Sequence, residues 1–294
     1  MKIARSAPVA GLRSRAERLD ELGTLLGAGM DTDRALDAIG VGRRTGPVVG
    51  HLAGRGLLEP HEVPLVRALL EAGRLDAGIR LVAGRLRGRA RLSRRLQTRM
   101  MLPAAVWVLA ILVAPLPGLI GGDLGAGGYL GAILGPAALT AVAVWAAVRF
   151  WRPFVEAVRD LQLRSGRPPG LVLRTDLFTG LGHLLGAGLD AGRALGTLAE
   201  AERGAWRRRL ESASMAVAGG AGVAPSLLRN GLAERRRDGP VLRAAEAAGR
   251  LPESLRHHAG LLGQALELRH ETIAEWLPRI VYFLILIHLA RGFF

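Results

Sequence analysis

The sequence contains no cysteine and a single lysine, Lys2. Without cysteine there are no disulfides, zinc ribbons or thiol catalysts. A phosphate-binding P-loop needs a lysine followed by serine or threonine, and Lys2 is followed by isoleucine. Aromatic residues make up 4% of the chain, too few for the stacking platforms of a typical single-strand nucleic-acid binder. These absences exclude several large classes of enzyme and binding protein.

Catalytic and metal-binding motifs are also missing from the sequence. No His-Glu-x-x-His pair and no Gly-x-Ser-x-Gly elbow occurs among the 294 residues. His257 and His258 are adjacent and point in different directions on a helix, so metal binding there is disfavoured. We therefore expect a protein that is not an enzyme and that needs no cofactor and no metal.

Long uncharged stretches are the main feature that is present. Residues 100–122 and 124–148 carry no charge, and Asp123 alone interrupts the passage from Arg99 to Arg149. A bilayer core needs about 20 apolar residues in a helix. The pattern predicts a transmembrane hairpin with spans at about 100–121 and 129–148; the alternative is a buried helical hairpin in a soluble core.

A third apolar stretch, residues 276–294, predicts a C-terminal span. His288 is either a functional group within the membrane or an interfacial histidine near the chain end. Pro103 and Pro278 occupy matching positions where the first and third spans begin. Nothing near residues 1–26 has the apolar core of a cleavable signal peptide.

The distribution of arginine predicts the orientation. The formal charge is +15, and arginines are concentrated in 84–99 and 149–153, on either side of the hairpin. By the positive-inside rule both flanks are cytoplasmic and the C-terminus lies outside. The alternative roles for the 84–99 cluster are binding to nucleic acid or to anionic lipid headgroups.

A fifteen-residue segment occurs in two similar copies, at 22–36 and 181–195. Each copy reads as a helix that ends at Gly-Ala-Gly, where Gly29 or Gly188 takes the left-handed conformation. Asp31 or Asp190 then caps the next helix. These carboxylates are alternatively metal ligands or catalytic groups, but capping explains both copies at once.

A second repeat relates residues 64–79 to 240–255, with Gly73 and Gly249 as turns between helices. The charged side chains beside these turns are either partner contacts or solvated helix charges. These side chains are Glu71, Arg74, Glu246 and Arg250. In each copy the following helix is arginine-bearing and leads into a span.

Together these patterns predict an all-α membrane protein with a duplicated layout. Residues 1–99 form the first cytoplasmic helical bundle and 100–150 the transmembrane hairpin. Residues 151–275 form the second cytoplasmic bundle, and 276–294 the last transmembrane helix. The hairpin is needed because two parallel units cannot face one side of a membrane without a return crossing.

The order of these motifs resembles the inner-membrane platform proteins of type II secretion systems and type IV pili, the GspF/PilC family. The resemblance covers residues 12–294, although only Glu246 keeps the family's glutamate three residues before the second glycine. It implies an antiparallel bundle of about six helices in each cytoplasmic domain. It also implies a function in which a cytoplasmic ATPase is coupled to pilin or pseudopilin assembly in the bacterial inner membrane.

The partners implied are the assembly ATPase, pilin or pseudopilin, other inner-membrane assembly proteins and the lipid bilayer. A homo-oligomer and no nucleic acid are expected. The alternative function is a membrane-anchored, arginine-rich protein that binds nucleic acid. A third alternative is a small transporter. The lack of paired buried charges in the predicted spans argues against it.

Overall fold

All regular elements of the described chain are α-helices. The computed structural model describes residues 9–42, 46–122, 125–164 and 169–291. The helices are α1 (Val9–Gly27), α2 (Thr32–Ala38), α3 (Val48–Gly54), α4 (Val63–Glu71), α5 (Leu75–Val113), α6 (Leu116–Ile120), α7 (Ala126–Arg164), α8 (Leu171–Gly186), α9 (Ala191–Glu200), α10 (Gly204–Ala218), α11 (Val223–Arg229), α12 (Gly239–Ala247) and α13 (Leu251–Arg291). The predicted all-α class is confirmed for these residues.

The chain divides into two compact units. Unit 1 contains Met1–Arg91 and Asp160–Glu267, and unit 2 contains Leu92–Arg159 and Leu268–Phe294. Three helices contribute to both units: α5 and α7, of 39 residues each, and α13, of 41 residues. The domain boundaries predicted near residues 99, 150 and 275 therefore fall inside continuous helices.

Unit 1 contains two hydrophobic cores. The core of its first half, residues 9–91, includes Leu19, Leu36 and Ile79, all fully buried. The core of its second half, residues 160–267, is built around Phe178 and Leu195. In both halves the leading helix, α1 or α8, buries one apolar face, because leucines recur three or four residues apart.

The two halves of unit 1 are packed against each other. Leu65 and Leu69 of α4 and Leu81 of α5 belong to the core of the second half. At the same contact Arg85 Nη2 donates to the backbone oxygen of Asp176 at 3.1 Å, and Arg85 Nε lies 3.6 Å from the carboxylate of Asp176. The halves therefore share apolar packing and an ionic contact.

Unit 2 contains one helical stretch that is long and apolar enough to cross a membrane. This stretch is Gln97–Ile120, which has 24 residues and a mean hydropathy of 2.1. Only 6% of its most apolar window is buried. Exposed Leu102, Leu109 and Leu112 lie on it. Such exposure of large apolar side chains is compatible with a membrane protein, in which lipid covers them.

The described residues yield no second candidate of that length. In α7 the apolar stretch Ala126–Val142 is shorter. For the predicted span 276–294, residues 292–294 and most side chains from 280 onward lie outside the described part of the chain. The second and third spans therefore stay predictions.

The first predicted span is interrupted near its end. Helix α5 ends at Val113, and the short α6 begins at Leu116. Pro115 lies within this break and Pro117 is the second residue of α6; proline lacks an N–H and disfavours helical geometry in the residue before it. Two side-chain hydrogen bonds join α5 to α7: Trp107 Nε1 donates to Thr140 Oγ1, and Tyr129 Oη donates to the oxygen of Leu112, both at 3.1 Å.

Candidate functional sites

The first pair of predicted turns is built by glycine and aspartate. Gly29 has φ 84° and Gly188 has φ 86°, a conformation that L side chains rarely adopt. The Asp31 carboxylate accepts from the N–H of Asp33 at 3.0 Å. The Asp190 carboxylate accepts from the N–H of Gly192 at 2.9 Å and from that of Arg193 at 3.2 Å. Both carboxylates thus hold the first turn of the following helix.

No group of three metal-ligating side chains occurs in the described residues. His258 contacts Asp238, with 2.9 Å between the ring Nε2 and the carboxylate oxygen, whereas the neighbouring His257 is exposed. The two histidines thus lie in different surroundings on α13.

The second pair of turns lies ahead of the long helices α5 and α13. Gly73 has φ 71° and Gly249 has φ 65°. Around each turn the following arginine donates its backbone N–H back to the preceding helix, from Arg74 to Leu69 at 2.7 Å and from Arg250 to Ala245 at 3.0 Å. These hydrogen bonds close the end of the preceding helix at each turn.

The four side chains predicted as partner contacts have different surroundings. Glu71, Arg74 and Arg250 are exposed, and Arg74 Nε lies 3.9 Å from the carboxylate of Asp76. Glu246 is half-buried. Its carboxylate accepts from the N–H of Val223 at 2.5 Å and of Ala224 at 3.1 Å. Glu246 therefore caps the N-terminus of α11 within the chain.

The two prolines predicted at the start of spans lie inside long helices. Pro103 is in α5 and its side chain is buried. Pro278 is in the range of α13, and its side chain lies outside the described part of the structure. Neither proline ends its helix.

Close contacts between glycine and arginine join the leading helix of each half to its long helix. A Cβ on Gly23 of α1 would lie 2.6 Å from Cγ of Arg80 on α5. A Cβ on Gly182 of α8 would lie 2.9 Å from Cγ of Arg256 on α13. Only glycine allows the two helices to approach this closely.

A partly buried arginine in the first half, 13% exposed at its side chain, binds the turn that precedes α4. Arg15 Nη1 donates to Glu59 at 2.9 Å, and Nη2 donates to the oxygen of Leu57 at 2.9 Å and to Glu62 at 3.3 Å. Burial raises the pKa of Glu59, but the hydrogen bond from Arg15 and nearby positive charges outweigh it and leave that pKa below 4.5. The Glu59 carboxylate therefore lies ionised against a partly buried cation.

A buried arginine in the second half makes the corresponding contacts. Arg174 is 3% exposed, donates to Glu234, and has its Nε 3.4 Å from the carboxylate of Asp238, which is fully buried. The other oxygen of Asp238 meets His258, whose ring lies 5.5 Å from that of Phe178. Four ionisable groups thus meet below the turn that precedes α12.

Neither Arg15 nor Arg174 is predicted as a site residue by the sequence patterns. A signal was present: Arg15 lies sixteen residues before Asp31, and Arg174 lies sixteen residues before Asp190. Extending the first repeat toward the N-terminus would have paired them. Their partners are 42 to 64 residues away along the chain, a separation that periodicity does not reveal.

His183 of α8 is surrounded by positive charge. Burial and the nearby charges of Arg256, Arg85 and Arg74 lower the pKa of His183 below 6.5. This histidine is therefore held in its neutral form near neutral pH.

Unit 2 contains a small apolar cavity of about 230 Å³ between α5 and α7. It is lined by Trp107, Ala110, Ile111, Ala114, Pro115, Ala132 and Pro136. In the same unit Arg99 of α5 lies 3.7 Å from Glu275 of α13.

No family model fits the sequence, and no curated protein is significantly similar to it.

Proposed function

We infer that the protein is a non-enzymatic platform of the bacterial inner membrane that couples a cytoplasmic ATPase to the assembly of pilins or pseudopilins. The observation that carries the inference is a set of contacts made twice. In each half an arginine of the leading helix binds the turn before α4 or α12, and a glycine packs on an arginine of the long helix.

These contacts occupy matching positions in the sequence. The residues of the leading helix and first turn are separated by a constant 159 residues, and those around the second turn by a constant 176. The first set comprises Arg15 and Arg174, Gly23 and Gly182, Gly29 and Gly188, and Asp31 and Asp190. The second set comprises Glu62 and Asp238, Gly73 and Gly249, and Arg80 and Arg256. Constant spacing supports two copies of one helical bundle.

Each copy is followed by a long helix with an apolar end, and the hairpin separates the copies. Two copies in one orientation require a return crossing, which the second helix of the hairpin supplies. This layout favours three spans with both bundles in the cytoplasm, as in the resemblance described above.

The proposed mechanism is mechanical. The bundles receive movement from the ATPase, and the long helices pass it to a pilin helix in the bilayer. Exposed arginines are the candidate contacts for the ATPase, because charged surfaces steer and orient partners. A homo-oligomer would present several such bundles to a ring-shaped motor.

Deletion of the gene tests this function. We expect loss of surface filaments or of secreted substrate, with recovery when the intact gene is supplied in trans. Co-purification of the assembly ATPase with the intact chain provides a second measurement. Filament assembly or secretion that continues unchanged in the deletion strain would contradict the proposal.

The second candidate is a membrane-anchored protein that binds nucleic acid. The charge of +15 and the exposed Arg89, Arg91 and Arg94 of α5 favour it. Such binding depends strongly on salt, because arginines displace counterions from phosphates. A mobility shift of a labelled DNA duplex by the purified protein at low salt tests it; an unshifted duplex removes this candidate.

A further inference from the structure

Three consecutive arginines lie at the tip of the turn between α11 and α12. Arg235, Arg236 and Arg237 are all exposed, and Arg237 is 70% exposed at its side chain. Its Nε lies 3.5 Å from Glu234, the residue at the base of the turn. An exposed pair of this kind contributes little to stability.

The base of this turn is held firmly. The N–H of Glu234 donates to the carboxylate of Asp238 at 2.7 Å, and the N–H of Asp238 donates to the oxygen of Glu234 at 2.8 Å. Buried Arg174 binds both carboxylates from below. The three guanidinium groups are therefore attached to a backbone of defined shape.

The corresponding turn of the first half is one residue shorter, is closed by the same two kinds of hydrogen bond, and has a different tip. There the N–H of Glu59 donates to Glu62 at 2.7 Å, and the N–H of Glu62 donates to the oxygen of Glu59 at 2.8 Å. Pro60 and His61 occupy the tip. A turn closed by the same two kinds of hydrogen bond therefore forms in the first half without arginine at its tip.

The surroundings of the tip are basic. Arg229 and Arg243, which flank the turn, are exposed. The nearby acidic groups are committed within the chain, since Glu234 binds Arg174 and Glu246 caps α11. The positive potential at the tip is therefore not cancelled locally.

The size and shape of the tip fit clustered carboxylates. A guanidinium group forms paired hydrogen bonds with a carboxylate, and arginine clusters recognise acidic motifs. Nucleic acid engages longer basic stripes, and the tip has no apolar side chain to insert into a membrane. We propose that the Arg235–Arg237 turn is a docking point for an acidic surface of a partner protein.

This inference goes beyond the platform function. Its test uses the purified protein alone, so its outcome does not depend on filament assembly or secretion. The full chain is placed in nanodiscs of zwitterionic phosphatidylcholine. Binding of a fluorescein-labelled peptide of alternating Asp and Glu is followed by anisotropy at about 150 mM salt, where the screening length is about 8 Å. A DNA duplex of equal charge and vesicles containing phosphatidylserine are titrated in parallel.

The test variant is Arg235→Ala/Arg236→Ala/Arg237→Ala, and the matched control is Arg193→Ala/Arg203→Ala/Arg208→Ala, which removes three exposed arginines elsewhere in unit 1. We expect the test variant to weaken peptide binding about tenfold or more, because three charge-assisted contacts are lost. The control, which retains the turn, is expected to change it by less than about threefold.

A second variant replaces residues 235–237 by Pro-His, the tip residues of the first-half turn. We expect it to weaken peptide binding as much as the triple alanine variant does. Equal weakening by the test and control variants would overturn the proposal. So would a loss confined to DNA or to anionic vesicles, which would assign the turn to phosphate groups instead.

Discussion

Buried charges in unit 1 are compensated by side chains that lie far apart in the sequence. Arg15 and Arg174 each meet two carboxylates, and the partners belong to turns 42 to 64 residues away. Removing one member of a buried ion pair leaves an unpaired charge, which costs more than the pair contributes. These residues are therefore sensitive positions, and only comparison of the two repeat copies distinguishes them in the sequence.

We expect Asp238→Ala to lower the free energy of unfolding by about 3–5 kcal/mol, because Arg174 then keeps a buried charge with one carboxylate instead of two. Chemical unfolding of the purified protein, followed by circular dichroism, measures the change. The control is Glu211→Ala, which breaks the exposed pair with Arg207 and is expected to cost less than about 1 kcal/mol. Equal costs would contradict the assignment of Asp238 to a buried network.

His183 makes the stability depend on pH. Its pKa in the folded protein lies below 6.5, so the unfolded chain binds the proton more readily. The stabilisation is present above pH 6.5 and is lost as the pH falls through the lower, folded pKa. We expect the thermal midpoint of the parent protein to fall more between about pH 7.5 and 5.5 than that of His183→Gln.

The chosen pH window separates His183 from the carboxylates. The pKa of Glu59 lies below 4.5, so its own contribution is lost only at more acidic pH. An equal decrease in the midpoints of the parent and His183→Gln would show that His183 is not responsible.

At the scale of helices, close approach depends on glycine. A Cβ at position 182 would lie 2.9 Å from Cγ of Arg256 and 3.2 Å from the backbone oxygen of Pro252. Backbone atoms cannot move aside as a flexible side chain can. The contact between α8 and α13 therefore depends on the absence of a side chain at this position.

We expect Gly182→Ala to destabilise the protein by about 1–3 kcal/mol through this overpacking. Gly260→Ala is the matched control, because Gly260 is exposed in α13 and a Cβ there meets nothing within 4 Å. It is expected to stabilise by up to about 1 kcal/mol, since alanine favours helix. Thermal unfolding of both variants gives the comparison, and the same sign for both would refute it.

The elements differ in how far the sequence predicts them. Asp31 and Asp190 bind N–H groups two or three residues away, so a local pattern is sufficient to predict their contacts. Glu246 binds the start of α11 from more than twenty residues downstream, and the sequence pattern suggested a partner contact instead. Contacts between distant segments depend on packing, which periodicity alone does not specify.

At the scale of the whole molecule, the absence of cysteine allows a direct test of topology. A single cysteine at exposed Gly121, in the predicted external turn, is expected to react with a membrane-impermeant maleimide in intact cells. A cysteine at exposed Ser212 of α10 is expected to react only after the cells are permeabilised. The variants are Gly121→Cys and Ser212→Cys; labelling of both in intact cells would contradict the predicted orientation.

The core shared by the two halves of unit 1 has a consequence for synthesis. Leu65, Leu69 and Leu81 leave the ribosome early, but the residues that cover them, around Phe178 and Leu195, follow only after residues 92–159 have been made. During that interval the first half exposes an apolar surface that has no partner. A fragment ending near residue 91 would keep that surface exposed permanently and would associate with other chains.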